Sequence, residues 1–168
     1  MTVHLAGIVN ESVTDGPGMR ITLFFQGCGH HCPGCHNPHT WDFEGGDRIS
    51  VEKLLSSLPD SPLIRGVTLS GGDPFYQPSP AARIARAFKE RGKDVWTYTG
   101  FTWESLLAEG HPDRMELLQA SDVLVDGPYL LSQAAPALPF RGSSNQRLIL
   151  VKESLAGSAP VCLQDPTP

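Results

Sequence analysis

Several things are scarce in this chain, and each scarcity narrows what it can be. Basic residues are outnumbered, 13 Lys and Arg against 18 Asp and Glu, for a net charge of -5. No basic face is therefore expected for a nucleic acid or an anionic membrane. No apolar run approaches the ~18 residues that mark a membrane-spanning helix. The opening residues, Met1 to Ile8, lack the basic stretch and apolar core of a secretory leader, so a cytoplasmic location is expected. No internal repeat is visible. Charged residues make up only 18% and hydrophobic ones 40%, which excludes a disordered chain and suits one globular unit in 168 residues. A single domain over 1–155 is expected, with the Gly-, Ser- and Pro-containing residues 156–168 as a flexible tail.

Cysteine is scarce too, but its placement is informative. Cys28, Cys32 and Cys35 share one Gly- and Pro-containing loop, while Cys162 lies far off in the tail. A disulfide framework wants an even set in an exported chain, so free thiols in a reducing compartment fit better. Two metal readings remain open. Structural zinc could use His30, His31, His36 or His39 as a fourth ligand, although zinc ligands usually come as two separated pairs. An iron–sulfur cluster is held by thiolates, and three of them would leave one iron without a protein ligand. An open coordination position is the mark of a metal site that does chemistry.

The rest of the chain alternates. Strands are expected at Arg20–Gln26, Ile64–Ser70, Asp94–Thr99, Asp122–Asp126 and Arg147–Val151. Helices are expected at Ser50–Leu58, Pro80–Arg91, 102–108 and 112–120. Strands alternating with helices imply βαβ units and a mainly parallel sheet, whose ligands bind beyond the C-terminal strand ends. Four successive strands end in distinctive loops: the cysteine loop, Gly71-Gly72-Asp73-Pro74, Tyr98-Thr99-Gly100 and Asp126-Gly127-Pro128. A complete eight-fold barrel needs ~250 residues, so an α/β fold with a partial, open barrel is expected. Paired glycines at 71 and 72 would let backbone approach a ligand, and the Asp73 carboxylate could hold an ammonium group. An ordinary glycine turn with an aspartate cap is the plainer reading of those three residues alone.

The CxxxCxxC spacing resembles that of radical S-adenosylmethionine (SAM) enzymes, and Gly71-Gly72-Asp73 resembles their "GGE" element, with Asp in place of Glu. Asp15-Gly-Pro-Gly-Met-Arg20 matches the "DGPG-R" of glycyl-radical-enzyme activases. Asp126-Gly-Pro-Tyr129, Arg141-Gly-Ser-Ser-Asn-Gln-Arg147, Trp41 and Trp96-Thr-Tyr-Thr-Gly100 sharpen the match. From about residue 4 to about 151 the chain is similar to the activating proteins of anaerobic (class III) ribonucleoside-triphosphate reductase. Pyruvate formate-lyase activases share the cysteine spacing but usually carry an aromatic residue where Gly34 stands. Activation of another glycyl radical enzyme is the alternative, with a zinc-stabilised binding module a distant third.

The resemblance implies a [4Fe–4S] cluster on Cys28, Cys32 and Cys35 and a SAM amino group seated by Gly71, Gly72 and Asp73. Tyr98, Thr99 and Asp126 become candidates for the ribose and carboxylate. It further implies the reductase as protein substrate, a flavodoxin or ferredoxin as electron donor, and no catalytic side chain beyond cluster and SAM. Pro17, Gly18 and the 141–147 loop are expected to shape the mouth or meet the reductase. Most of the histidines are expected to be solvated, Phe24, Phe25, Trp96 and Trp103 to be core, and Cys162 to be incidental.

Overall fold

A computed structural model describes residues 1–165. Seven strands form one sheet in the order β3-β1-β2-β4-β5-β6-β7. They are β1 (Thr2–Ser12), β2 (Arg20–Phe25), β3 (Asp47–Ser50), β4 (Gly66–Gly71), β5 (Asp94–Tyr98), β6 (Val123–Asp126) and β7 (Arg147–Leu150). The helices are α1 (Val51–Ser57), α2 (Pro78–Glu90), α3 (Trp103–Glu109), α4 (Pro112–Ala120) and α5 (Val151–Ala156). Strands β2, β4, β5 and β6 pair in parallel. Antiparallel β1, β3 and β7 flank them, and the edges do not meet, so the sheet is the open, partial structure expected. No helix among the described residues is long and apolar enough to cross a membrane.

The helices start and stop on local chemistry. Ser50 caps α1 by accepting from the Lys53 amide, and Thr102 and Ser105 form a capping box on α3. Helix α2 starts on a proline and buries Ala81, Ile84, Ala85 and Phe88, spaced to form one stripe.

Register divides the sheet into two unlike faces. Leu23, Leu69, Thr97, Leu124 and Ile149 align across five strands. Their face is packed with Leu54, Ile84, Phe88 and Leu118 from the helices into the main core. The alternate row, Thr22, Thr68, Trp96, Val123 and Leu150, lies on the opposite face. That face is polar near β2 and β4, and apolar near β6, where Trp96, Val123, Val125 and Leu148 form a smaller cluster.

Three parts of the architecture differ from expectation. Strands β1 and β3 and helix α5 were not anticipated. In β1 the alternation of buried Val3 and Leu5 is broken by register shifts after Leu5 and Val9. The final strand was anticipated, but it runs antiparallel. The tail is also held: the Leu150 amide donates to the Val161 carbonyl at 2.8 Å, and the Leu163 amide to the Leu148 carbonyl at 2.7 Å. Leu163 packs on the smaller cluster, so the described part of 156–168 is tied to β7 rather than loose. Residues 166–168 lie outside the described region.

Candidate active site at the strand ends

A cavity of about 570 Å³ opens at the C-terminal ends of β2, β4 and β5. Cys28, Cys32 and Cys35 line one side; Gly71, Gly72 and Thr99 line the strand ends; Phe24, Ser70 and Tyr98 rise from the non-helical sheet face; and Phe140 to Gly142 close the far side. All three thiols are free.

The cysteine loop is pinned where it leaves β2. The Gly27 amide donates to the Thr40 carbonyl at 2.7 Å and the Cys28 amide to the Trp41 carbonyl at 3.2 Å. The Gln26 side-chain amide reaches the Asp42 and His39 carbonyls. Further on, the Cys35 amide closes a turn on the Cys32 carbonyl. Burial pushes the Cys28 thiol from 9.0 up to about 11; the His30 amide opposes this, and Asp73, Cys32 and Cys35 add to it. An iron–sulfur cluster suits such surroundings, because its metal charge would offset what disfavours the bare thiolate. Among the described residues no three His, Cys, Asp or Glu side chains are grouped to hold a single metal ion. The three thiols line one wall of the cavity, where they could hold a cluster.

Gly71 and Gly72 sit where expected, for a further reason. A Cβ on Gly71 would lie 2.4 Å from the Phe25 nitrogen, and one on Gly72 2.4 Å from the Gly27 carbonyl oxygen. The paired glycines therefore let the loop after β4 lie directly against the start of the cysteine loop. The Gly72 amide donates to the Phe25 carbonyl and the Asp73 amide to the Gly27 carbonyl.

Two expected ligand contacts are corrected. Asp73 is fully buried and does not line the cavity. Its Oδ1 accepts from the Phe75 amide, while Oδ2 accepts from His30 Nε2 at 2.7 Å, the Thr99 hydroxyl at 2.8 Å and the Gly100 amide at 2.9 Å. With its oxygens so occupied, the carboxylate braces loops and is not presented to an ammonium group. Asp126 is 1% exposed and lies on the helix-covered face, a consequence of strand parity. It accepts from the Trp103 amide and from both Nε and Nη2 of Arg147, its cross-strand partner. Asp126 thus anchors α3 and Arg147, away from the crevice.

Tyr98 and Thr99 do line the cavity, with engaged hydroxyls. The Tyr98 hydroxyl donates to the Phe140 carbonyl at 2.7 Å, and burial pushes its pKa well above the usual tyrosine range, with Asp15 adding to the effect. The Thr99 hydroxyl donates to Asp73 and accepts from the Phe101 amide.

Other positions depart from the sequence reading. Phe24 faces the cavity, although Phe25, Trp96 and Trp103 are buried as expected. His30 is not a solvated loop residue: its ring is bound to Asp73 and packs edge-on against Phe101. Polar 20 and 22 alternating with 24 were the available signal for Phe24; nothing local signalled His30. The motif segments brace the fold. Gln146 Oε1 accepts from the Gly142 and Ser143 amides, its Nε2 donates to the Gly127 carbonyl, and Asn145 donates to the Pro128 carbonyl. The 141–147 loop is thereby tied to the Asp126-Gly-Pro-Tyr129 loop.

Comparison with known proteins agrees with this geometry. A family described as "4Fe-4S single cluster domain" matches residues 14–149. The anaerobic ribonucleoside-triphosphate reductase-activating protein of Vibrio cholerae is 42% identical, over 80% of this chain and 89% of that protein. Its counterpart in Escherichia coli K12 is 37% identical, over 80% and 90%. Among solved structures, QueE from Escherichia coli has a TM-score of 0.45 at 19% identity, covering 61% of this chain and 54% of that one. Since the curated relatives are matched over nearly their whole length and the matching family model spans the cysteine loop and the other three strand-end loops, the chain belongs to the family of anaerobic ribonucleoside-triphosphate reductase-activating proteins.

Proposed function

We propose that the chain is a radical SAM activating enzyme that installs a glycyl radical on an anaerobic ribonucleoside-triphosphate reductase, with Cys28, Cys32 and Cys35 holding its [4Fe–4S] cluster. The observation that carries this reading is the opening of three free thiols onto the same cavity as Gly71 and Gly72. When bound, cluster and SAM supply the chemistry: one-electron reduction of the sulfonium yields methionine and a 5′-deoxyadenosyl radical, which takes a hydrogen atom from a glycine Cα of the reductase.

The protein's part is binding, orientation and exclusion of side reactions. Cys28, Cys32 and Cys35 would hold the cluster and the Gly71–Gly72 side of the same cavity would hold SAM, so that proximity would replace a collision. The Gly71–Gly72 backbone seats the amino group, and Tyr98 and Thr99 flank the nucleoside end. Phe24, on the sheet face, shields the space from water. Asp73 and Asp126 act from beneath as positioning residues. The reading includes residues 1–155 as the working domain, a low-potential flavodoxin or ferredoxin as donor, and a cytoplasmic setting.

The test is electron paramagnetic resonance (EPR) on anaerobically reconstituted, reduced protein with and without SAM. A cluster signal that changes on adding SAM is expected. Cys32→Ala abolishes reductive SAM cleavage and Cys162→Ala leaves it intact; full activity in the Cys32 variant sinks the assignment.

A further inference from the structure

Within the cysteine loop, His30 makes a contact that no thiol explains. Its Nε2 lies 2.7 Å from Asp73 Oδ2, and the Asp73 side chain is completely buried. Asp73 Oδ2 also takes the Thr99 hydroxyl and the Gly100 amide. One oxygen thus joins the cysteine loop, the loop after β4 and the loop after β5. A carboxylate only accepts, so Nε2 is the nitrogen that carries the proton.

The ring occupies a shaped slot. It meets Phe101 at 4.6 Å and Tyr76 at 5.5 Å between centroids, both edge-on. A Cβ on Gly100 would come within 2.5 Å of the ring, so the slot exists only because that position is glycine. His30 thus belongs to the cysteine loop through its backbone, between Cys28 and Cys32, and is held through its ring by the carboxylate beneath the Gly71–Gly72 turn.

We infer that His30 is a positioning residue that sets the placement of the three thiols relative to the Gly71–Gly72 backbone, acting through Asp73. The inference rests on the proposed function. With the imidazole in place, the cysteine loop and the amine seat move as one body. Without it, the Asp73 carboxylate keeps its partners in the loops after β4 and β5 but loses its side-chain link to the cysteine loop, which is then tied to it only through the backbone at Gly27. The thiols still hold a cluster, yet SAM must then order the loop as it binds, which weakens binding.

The experiment is a SAM titration of the reduced cluster's EPR signal in anaerobically reconstituted holoprotein, for wild type, His30→Gln and His30→Leu. Iron content is measured in parallel. The Gln amide nitrogen reaches the place of Nε2 and can donate to Asp73; Leu fills the slot without a donor. The expected result is a near-wild-type midpoint for His30→Gln and a midpoint raised about tenfold for His30→Leu, the loss typical of one charge-assisted hydrogen bond. Midpoints unchanged in both variants overturn the inference, as do equal rises in both. Should His30→Leu fail to assemble a cluster, His30→Phe, which fills the same slot with a ring that carries no donor, decides: a raised midpoint supports the role of the His30–Asp73 bond and an unchanged one overturns it. A wild-type cluster indifferent to SAM would refute the proposed function, and this inference with it.

Discussion

Arg20 carries the most testable energetic claim in the fold. Its side chain is fully buried at the start of β2, where Nε donates to Thr68 Oγ1 at 2.8 Å, Nη1 to the Pro17 carbonyl, and Nη2 to the Val67 carbonyl and to Asp94. The guanidinium also lies over the Trp96 ring, 5.8 Å from its centroid. Removing one partner of a buried pair costs about 3–5 kcal/mol. Asp94 is 28% exposed and keeps Arg65 at 3.3 Å, which places Arg20→Ala at the lower end, about 3 kcal/mol. For a domain of this size that is a fall in Tm of roughly 6–12 °C. The assay is thermal unfolding followed by far-UV circular dichroism on protein of equal iron content. Arg20→Met separates packing from charge, since it keeps an apolar stem and leaves Asp94, Thr68 and the Pro17 carbonyl without their donor. If Arg20→Met is as stable as wild type, or Arg20→Ala loses less than about 1 kcal/mol, the ionic reasoning is wrong. A local consequence reaches the site. The Thr68 hydroxyl donates to the Asp15 carbonyl at 2.7 Å, so loss of Arg20 loosens a turn that lines the cavity.

Arg147→Ala is expected to cost about 3 kcal/mol, because it leaves the Asp126 carboxylate buried with only the Trp103 amide. Denaturant midpoints check this; an unchanged midpoint contradicts it. Asp126→Asn is expected to leave the EPR response to SAM intact, and a lost response would return Asp126 to the crevice. In cluster-free protein at pH 8, a Cys28 thiol raised from 9.0 to about 11 holds about 100-fold less thiolate than an ordinary cysteine. Iodoacetamide, followed by peptide mass spectrometry, is therefore expected to label exposed Cys162 well before Cys28, and equal rates would refute the burial. The same shift sets a pH window. The folded thiol is more easily kept neutral than the unfolded one, so its contribution to cluster-free stability is full below about pH 9 and is lost as pH rises through about 11. A denaturant midpoint that does not fall across that window counts against it.

The elements at the centre were legible because their signals are local. The Ser50 cap of α1 and the apolar stripe of α2 each act within a turn or two, and the parallel strands are short, largely buried runs between turn residues. Strand β1 was not legible, since half of it packs and half does not: Val3 and Leu5 are buried, while Ile8 and Val9 are 42% exposed. The three thiols and two glycines were singled out by spacing, and they line one cavity. Asp126 misled because a residue at a strand end can point to either face, and which one depends on the register with β5 and β7. His30 misled for a related reason, as its partner lies 43 residues away in another loop. The tail was misjudged from composition, whereas two backbone hydrogen bonds and Leu163 decide its place.

The polar motif residues share a role that follows from the architecture. Where parallel strands end, their sheet hydrogen bonds end with them, and the loops beyond must find other partners for their backbone groups. Here side chains supply those partners. Asp73 takes the Phe75 and Gly100 amides, Gln146 takes the Gly142 and Ser143 amides, and Asp126 takes the Trp103 amide. Each of these side chains also reaches a different loop or strand, so the strand-end loops are joined to one another as well as satisfied. Glycine backbone and thiols are thereby left facing the cavity, beside Phe24, Tyr98 and Phe140. A rim built this way fixes distances between loops rather than contacts to a ligand. Substitutions at Asp73, Gln146 or Asp126 should therefore shift how well the site is assembled, and substitutions at the thiols should remove what it holds.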